Sequence, residues 1–152
     1  MIRRGQPSDM AEMTALRTSV AENHLSVEQM AGLGITPENI GADIEAGEMS
    51  CFVAKEGGRI VGFSMSDRRD GQIFALFTRP GCEGRGHGGR LLAAALGWLA
   101  ARGHTRAWLT TAPGTRAERF YLLKGWQPAG TTGEGDVILR LRFNPGSRPA
   151  RS

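Results

Sequence analysis

Cysteine and histidine are scarce in this chain, and neither is arranged for metal or cross-link chemistry. Its 152 residues hold two cysteines, Cys51 and Cys82, and three histidines, in no metal-ligand spacing. No metal is therefore expected, and both cysteines are read as free thiols of a reducing compartment, the cytoplasm. No run of 18 apolar residues occurs, so no transmembrane helix is expected, and MIRRGQPSDM lacks the apolar stretch of a secretory leader. Aromatic residues make up only 7% of the chain, with a single tyrosine, Tyr121. The arginines are spread out and accompany no stacking-aromatic motif, which argues against nucleic acid as a partner. A Gly-Lys pair followed by Ser or Thr is also missing, which disfavours a nucleoside triphosphatase.

Glycine, by contrast, is abundant: there are 22. Five of them (Gly81, Gly84, Gly86, Gly88 and Gly89) crowd residues 81–89 of the stretch RPGCEGRGHGGRLLAAALGWLAARG, residues 79–103. Ahead of it, Ile73 to Thr78 is apolar and partly β-branched and reads as a strand. Behind it, Leu91, Leu92, Ala95, Leu96, Trp98 and Leu99 follow the spacing of one buried helical face, and Gly103 stands at a C-cap position. Strand, glycine loop and helix together are an anion-binding arrangement. The first amides of a helix lack intrahelical partners, the helix dipole makes that end positive, and glycine lets a phosphate approach the main chain. Arg85 and Arg90 bring formal charge to the same place. The loop Arg85 to Arg90 is thus read as a pyrophosphate cradle. Gly84-x-Gly86-x-x-Gly89 also satisfies the dinucleotide pattern, but Arg106 to Ala112, about 20 residues on, carries no acidic residue for a ribose.

The net charge of +4 hides an asymmetry: residues 1–78 hold 7 Lys/Arg and 11 Asp/Glu, and residues 79–152 hold 12 and 4. The basic second half suits a polyanionic ligand, and the acidic first half tolerates a cationic amine. Forty per cent apolar residues over this length support one core, and residues 1–143 are read as one domain. Residues 144–152, rich in Pro, Gly, Ser and Arg, read as a disordered tail.

In chain order, Ile2 to Arg4 reads as a strand, and Met10, Met13, Leu16 and Val20 as a helical face. Glu22 to Ser26 is a polar loop, and Pro37 opens a helix to about Ala46. Ser50 to Lys55 and Arg59 to Ser66 form a hairpin about Glu56-Gly57-Gly58, and Gln72 to Arg79 follows as a third antiparallel strand. Arg106 to Thr111 is a strand. Thr115 caps a helix from Arg116 to Lys124 with Glu118 at the capping-box position. Trp126 to Ala129 and Val137 to Phe143 complete an α/β chain with a mixed sheet.

Glu83-Gly84-Arg85-Gly86-His87-Gly88 resembles motif A of the GNAT superfamily of N-acetyltransferases, Q/R-x-x-G-x-G/A, with Glu83 in place of Gln or Arg. Ala117-Glu118-Arg119-Phe120-Tyr121-Leu122-Leu123-Lys124-Gly125-Trp126 resembles its motif B, A-x-x-F/L-Y-x-x-x-G-F; Gly114 stands where the family often has asparagine. The ordered pair covers about a third of the chain. The resemblance implies a GNAT-like fold, a mixed central sheet of six to seven strands flanked by about four helices. It also implies an enzyme that transfers the acetyl group of acetyl-coenzyme A directly to a primary amine on a small molecule or peptide.

By that resemblance, the backbone of Leu76, Phe77 and Thr78 holds the pantetheine arm. Glu83, Gly84, Arg85, Gly86, His87, Gly88, Gly89 and Arg90 surround the pyrophosphate, with Thr111, Arg116, Phe120 and Tyr121 completing the cofactor site. Tyr121 matches the motif B tyrosine that serves as general acid for the coenzyme A thiolate. Glu22 and His24, titratable and in the expected acceptor loop, are the candidate bases, with Glu45, Glu48 or a water chain as alternatives. A homodimer fits the family's habit. A longer acyl donor and a non-catalytic acyl-coenzyme A binding module are the rival readings.

Overall fold

The structure, a computed structural model, describes residues 2–19 and 37–143. Its strands are β1 (Ile2–Arg4), β2 (Met49–Glu56), β3 (Arg59–Asp67), β4 (Gln72–Thr78), β5 (Arg106–Thr111), β6 (Gln127–Thr131) and β7 (Val137–Arg142). Its α-helices are α1 (Met10–Ser19), α2 (Pro37–Glu45), α3 (His87–Ala101) and α4 (Arg116–Leu123), and a 3-10 turn at Pro7–Asp9 precedes α1. The strands form one seven-stranded sheet in the order β1-β2-β3-β4-β5-β7-β6. All neighbours are antiparallel except β4 and β5, so the sheet is mixed and the expected α/β architecture is the observed one.

Local chemistry explains the turns. Gly57 and Gly58 have φ of 57° and 77°, the two positive values that a tight primed turn requires. They set the β2–β3 register at Glu56↔Arg59 and leave Glu56 at the tip of the sheet. In α4 the Thr115 hydroxyl accepts from the Glu118 amide at 3.2 Å, as the capping-box pattern predicts. The Glu118 carboxylate returns to the Gly114 amide, at 2.8 Å, rather than to that of Thr115. Helix α4 ends one residue earlier than expected because Lys124 is already its C-cap, and Gly125 then turns with φ of 94°.

Alternate residues of β2 show how the sheet is covered. Cys51 and Val53 join Met13 and Leu16 of α1, while Phe52 and Ala54 pack with Leu91 of α3. Successive strand side chains point to opposite faces, so α1 and α3 lie on opposite sides of the sheet. The α3 face carries small residues under the helix. The Ser64 hydroxyl donates to the Leu91 carbonyl at 3.1 Å, and a Cβ on Gly62 would stand 2.8 Å from the Phe77 carbonyl oxygen and 3.0 Å from Leu91 Cδ1. Beyond β4 a second cluster forms, with Leu92, Ala95, Leu96 and Leu99 of α3 against Leu109, Leu139, Tyr121 and Trp126. Among the described residues no helix is long and apolar enough to cross a membrane.

The glycines of α3 and β3 are therefore not equivalent. Gly62→Ala forces backbone apart beneath α3 and should lower stability by about 1–3 kcal/mol. Gly97, inside α3, has nothing within 4 Å of an added Cβ. Gly97→Ala should raise stability by about 0.5–1 kcal/mol through helix propensity. Urea unfolding midpoints at unchanged m-value read both signs.

Candidate active site

The sheet splits in the middle. β4 and β5 share a single register pair, between Gln72 at the start of β4 and Trp108, the third residue of β5, and beyond it they diverge. On its other edge β4 stays paired with β3 up to Thr78, and the Arg79 amide still donates to the Val61 carbonyl. A cavity of about 340 Å³ opens at the split. Its walls are Leu76, Phe77 and Thr78 of β4, the glycine loop, the first turn of α3, Thr111 at the end of β5 with Ala112 after it, and α4 from its cap through Tyr121.

At one end of the cavity is the glycine loop. Gly84 and Gly86 have φ of 80° and 84°, which only glycine adopts readily. Gly86 is the N-cap of α3 and offers no side-chain cap, so the helix starts at His87 and takes Gly88 and Gly89 into its first turn. The amides of His87, Gly88 and Gly89 have no acceptor among the described residues. The nearest atoms that a Cβ at Gly88 would meet belong to Phe120 and Thr78, at ordinary contact distances of 3.6 Å or more. Packing alone does not demand glycine there; its absence of side chain leaves these amides open to the cavity, as a bound phosphate requires. The Lys124 ammonium lies 3.5 Å from where a Gly89 Cβ would stand, adding a cation at the helix N-terminus.

The sequence-derived cofactor residues Leu76, Phe77, Thr78, Glu83, Gly84, Gly86, His87, Gly88, Gly89, Thr111, Arg116, Phe120 and Tyr121 all line this one cavity. Arg85 and Arg90 do not. Arg85 Nη1 donates to Glu56 Oε1 at 2.6 Å, and the other oxygen of that carboxylate binds His87 Nε2. Arg90 Nη2 donates to His87 Nδ1 at 3.1 Å and to the Arg85 carbonyl at 3.3 Å. A guanidinium can only donate, so Nδ1 is the acceptor and the network assigns the ring hydrogen to Nε2, facing Glu56. Those His87 and Arg85 donors hold the Glu56 carboxyl below its usual range. The two arginines therefore spend their side chains within the protein.

Glu83 is among the residues lining the cavity, and its Oε1 accepts the Gly81 amide at 2.8 Å. Main-chain amides and nearby Arg116 keep it below the usual carboxylate range, which makes it a poor base. Tyr121 is 6% exposed and packs edge-on against Phe120 and Trp126, with ring centroids 5.3 and 5.6 Å away. Burial pushes its phenol pKa up, so it stays protonated at neutral pH. Glu22 and His24 lie outside the described residues. Of the alternative bases, Glu48 faces Arg68 and Arg69, at 3.5 and 3.8 Å, and neither it nor Glu45 lines the cavity.

Sequence reasoning missed Cys82, Ala112, Thr115 and Ala117 as lining residues, and Lys124 and Glu56 as neighbours of the loop. Ala117 already opens motif B, Cys82 and Thr115 stand directly beside Glu83 and Arg116, and Ala112 follows Thr111, so the neighbours of flagged residues account for all four. Glu56 carries no local signal of its contact with residues 29 and 31 positions away.

A sequence profile of the acetyltransferase (GNAT) family matches residues 14–126. Uncharacterised N-acetyltransferases of Mycobacterium tuberculosis and Mycobacterium bovis are 31% identical over 114 residues, covering 64% of this chain and 73% of theirs. Among solved structures, the PaiA N-acetyltransferase of Thermoplasma acidophilum in complex with coenzyme A has a TM-score of 0.78 at 16% identity, covering 94% of this chain and 98% of that one. YncA of Salmonella typhimurium with its cofactor acetyl-CoA scores 0.73 at 16% identity, covering 95% and 94%. Both structural likenesses are ones of fold. An α/β fold with a split sheet and a glycine-rich helix start is thus joined to a family match across most of the chain. The chain belongs to the GNAT acetyltransferase family, and it is an acyltransferase by that membership.

The two thiols should react very differently. Cys82 is half-buried at the cavity, whereas Cys51 is 2% exposed and its thiol is pushed up to about 12 by burial. An aromatic disulfide reagent at pH 8 should label Cys82 in the native protein and reach Cys51 only after denaturation. Peptide mapping of the labelled protein reads the outcome.

Proposed function

We infer that the chain transfers the acetyl group of acetyl-coenzyme A directly to a primary amine on a small molecule or peptide. The observation that carries this reading is the split between β4 and β5, with open amides at one end of the cavity and a protonated phenol lining it. The fit to coenzyme A is chemical. The first turn of α3, Lys124 and Arg116 suit a pyrophosphate, and the backbone of Leu76 to Thr78 borders the opening where an extended amide-bearing arm would lie beside a strand.

In the reaction the amine nitrogen forms a bond to the thioester carbon, the carbon–sulfur bond breaks, and the thiolate leaves. Tyr121 donates its proton to that sulfur. The proton shed by the amine goes to a base, for which Glu22 and His24 are our candidates, or to water. Glu83, held as an anion by main-chain amides, is not the base in this reading. Two unpaired thiols, one deeply buried, are compatible with work in the reducing cytoplasm. A homodimer is the assembly we propose, on the family resemblance alone.

Thermal unfolding with and without ligand tests donor binding first. Acetyl-coenzyme A at a hundred times its dissociation constant should stabilise the protein by about 2.7 kcal/mol, and NAD should not. With an amine acceptor in hand, Tyr121→Phe should lower kcat about 10²-fold, the lower range of general-acid effects, with the KM for acetyl-coenzyme A little changed. Unchanged kcat removes Tyr121 as the acid; stabilisation without turnover of any amine points to a binding module.

A further inference from the structure

One carboxylate at the tip of the β2–β3 hairpin grips the glycine loop from behind. Glu56 binds Arg85 through one oxygen and His87 through the other, straddling Gly86, whose φ of 84° sets the entry into α3. Arg90 closes the ring, reaching back from the first turn to His87 Nδ1 and to the Arg85 carbonyl. His87 is 4% exposed at the first position of the helix, so its ring is fixed by packing as well as by hydrogen bonds. Two residues on either side of the loop's left-handed glycine are thus pinned to a strand 29 or more positions away.

We propose that Glu56 is a positioning residue for the anion-binding turn. It fixes residues 84–89 so that main-chain amides, and not the side chains of Arg85 and Arg90, receive the pyrophosphate of the donor. This rests on the acetyl-coenzyme A reading above. The electrostatics make it a sharp claim. A carboxylate close to a polyanion's binding turn is unfavourable by charge alone, so removing it should tighten binding unless the carboxylate supplies geometry that outweighs the repulsion.

Two variants of the full chain separate geometry from charge. Glu56→Gln keeps the shape and loses the charge, and an amide oxygen cannot serve both Arg85 and His87 as a carboxylate does. Glu56→Asp keeps the charge and withdraws the bridge by one methylene. Coenzyme A binding is measured by calorimetry for each, with the melting midpoint as the check on folding. Both variants should bind coenzyme A about tenfold more weakly, as misplaced binding groups do. With an acceptor, the KM for acetyl-coenzyme A should rise while kcat at saturation changes little. Wild-type or tighter binding by Glu56→Gln overturns the proposal. So does wild-type binding by Glu56→Asp, which would leave charge as the whole effect. Should Glu56→Gln not fold, Glu56→Asp decides alone. A wild-type protein that does not bind coenzyme A sinks the donor reading itself, whereas binding indifferent to both variants sinks only the role of Glu56.

Discussion

The site depends on one break in the sheet. A continuously hydrogen-bonded sheet has no interior opening, because each strand's polar backbone is taken up by its neighbours. Here β4 and β5, the one parallel pair among the described residues, separate after Gln72↔Trp108, and everything that lines the cavity follows. Ligands of open α/β sheets sit beyond the carboxyl ends of strands. Helix α3 follows β4 and helix α4 follows β5, so each begins where its strand leaves the split. Two helix N-termini consequently border the same cavity, His87 to Gly89 on one side and Thr115 to Ala117 on the other. The break creates the space and the helix starts give it a positive potential.

That potential is built mainly from fixed dipoles. The second half of the chain is strongly basic, yet Arg85 and Arg90, the arginines nearest the glycine loop in sequence, are engaged by Glu56, His87 and the Arg85 carbonyl. Main-chain amides held in a rigid turn lose little freedom when they bind an anion, whereas a long arginine side chain loses much. Gly84 and Gly86 make the turn possible, and the Glu56–His87–Arg90 ring holds it. Lys124 and Arg116 add charge at the rim, where attraction acts over a longer range.

What could be read in the sequence was whatever local pattern dictates. The helical face from Leu91 to Leu99, the Gly57-Gly58 turn and the Thr115/Glu118 cap each depend on residues a few positions apart, and each took the expected form. The antiparallel run β2–β3–β4 was legible from its short turns, whereas the insertion of β7 between β5 and β6 has no local signal in the sequence. Side-chain direction was not legible. Arg85 and Arg90 in a glycine loop are read as phosphate cations until the distant Glu56 is seen beside them, because nothing within the loop reveals a partner on β2. His87 illustrates the same limit: its position in the glycine loop was legible, whereas the contact of its buried ring with Glu56, which ties β2 to the start of α3, was not.

Tyr121 shows how burial sets the terms of the proposed chemistry. A phenol near pKa 10 is already a weaker acid than a thiol near about 8.5, and burial against Phe120 and Trp126 weakens it further. In water, proton transfer from such a phenol to a thiolate would run uphill. In the proposed reaction the leaving thiolate, however, forms beside the apolar side chains of the same cavity, Leu76, Phe77 and Phe120, where losing its hydration raises its own proton affinity. What governs the transfer is the difference between two desolvated groups, so a dry site can restore a match that solution values deny. The aromatic packing that makes Tyr121 a poor acid in isolation is therefore consistent with its serving as one there, provided the donor's sulfur is buried with it.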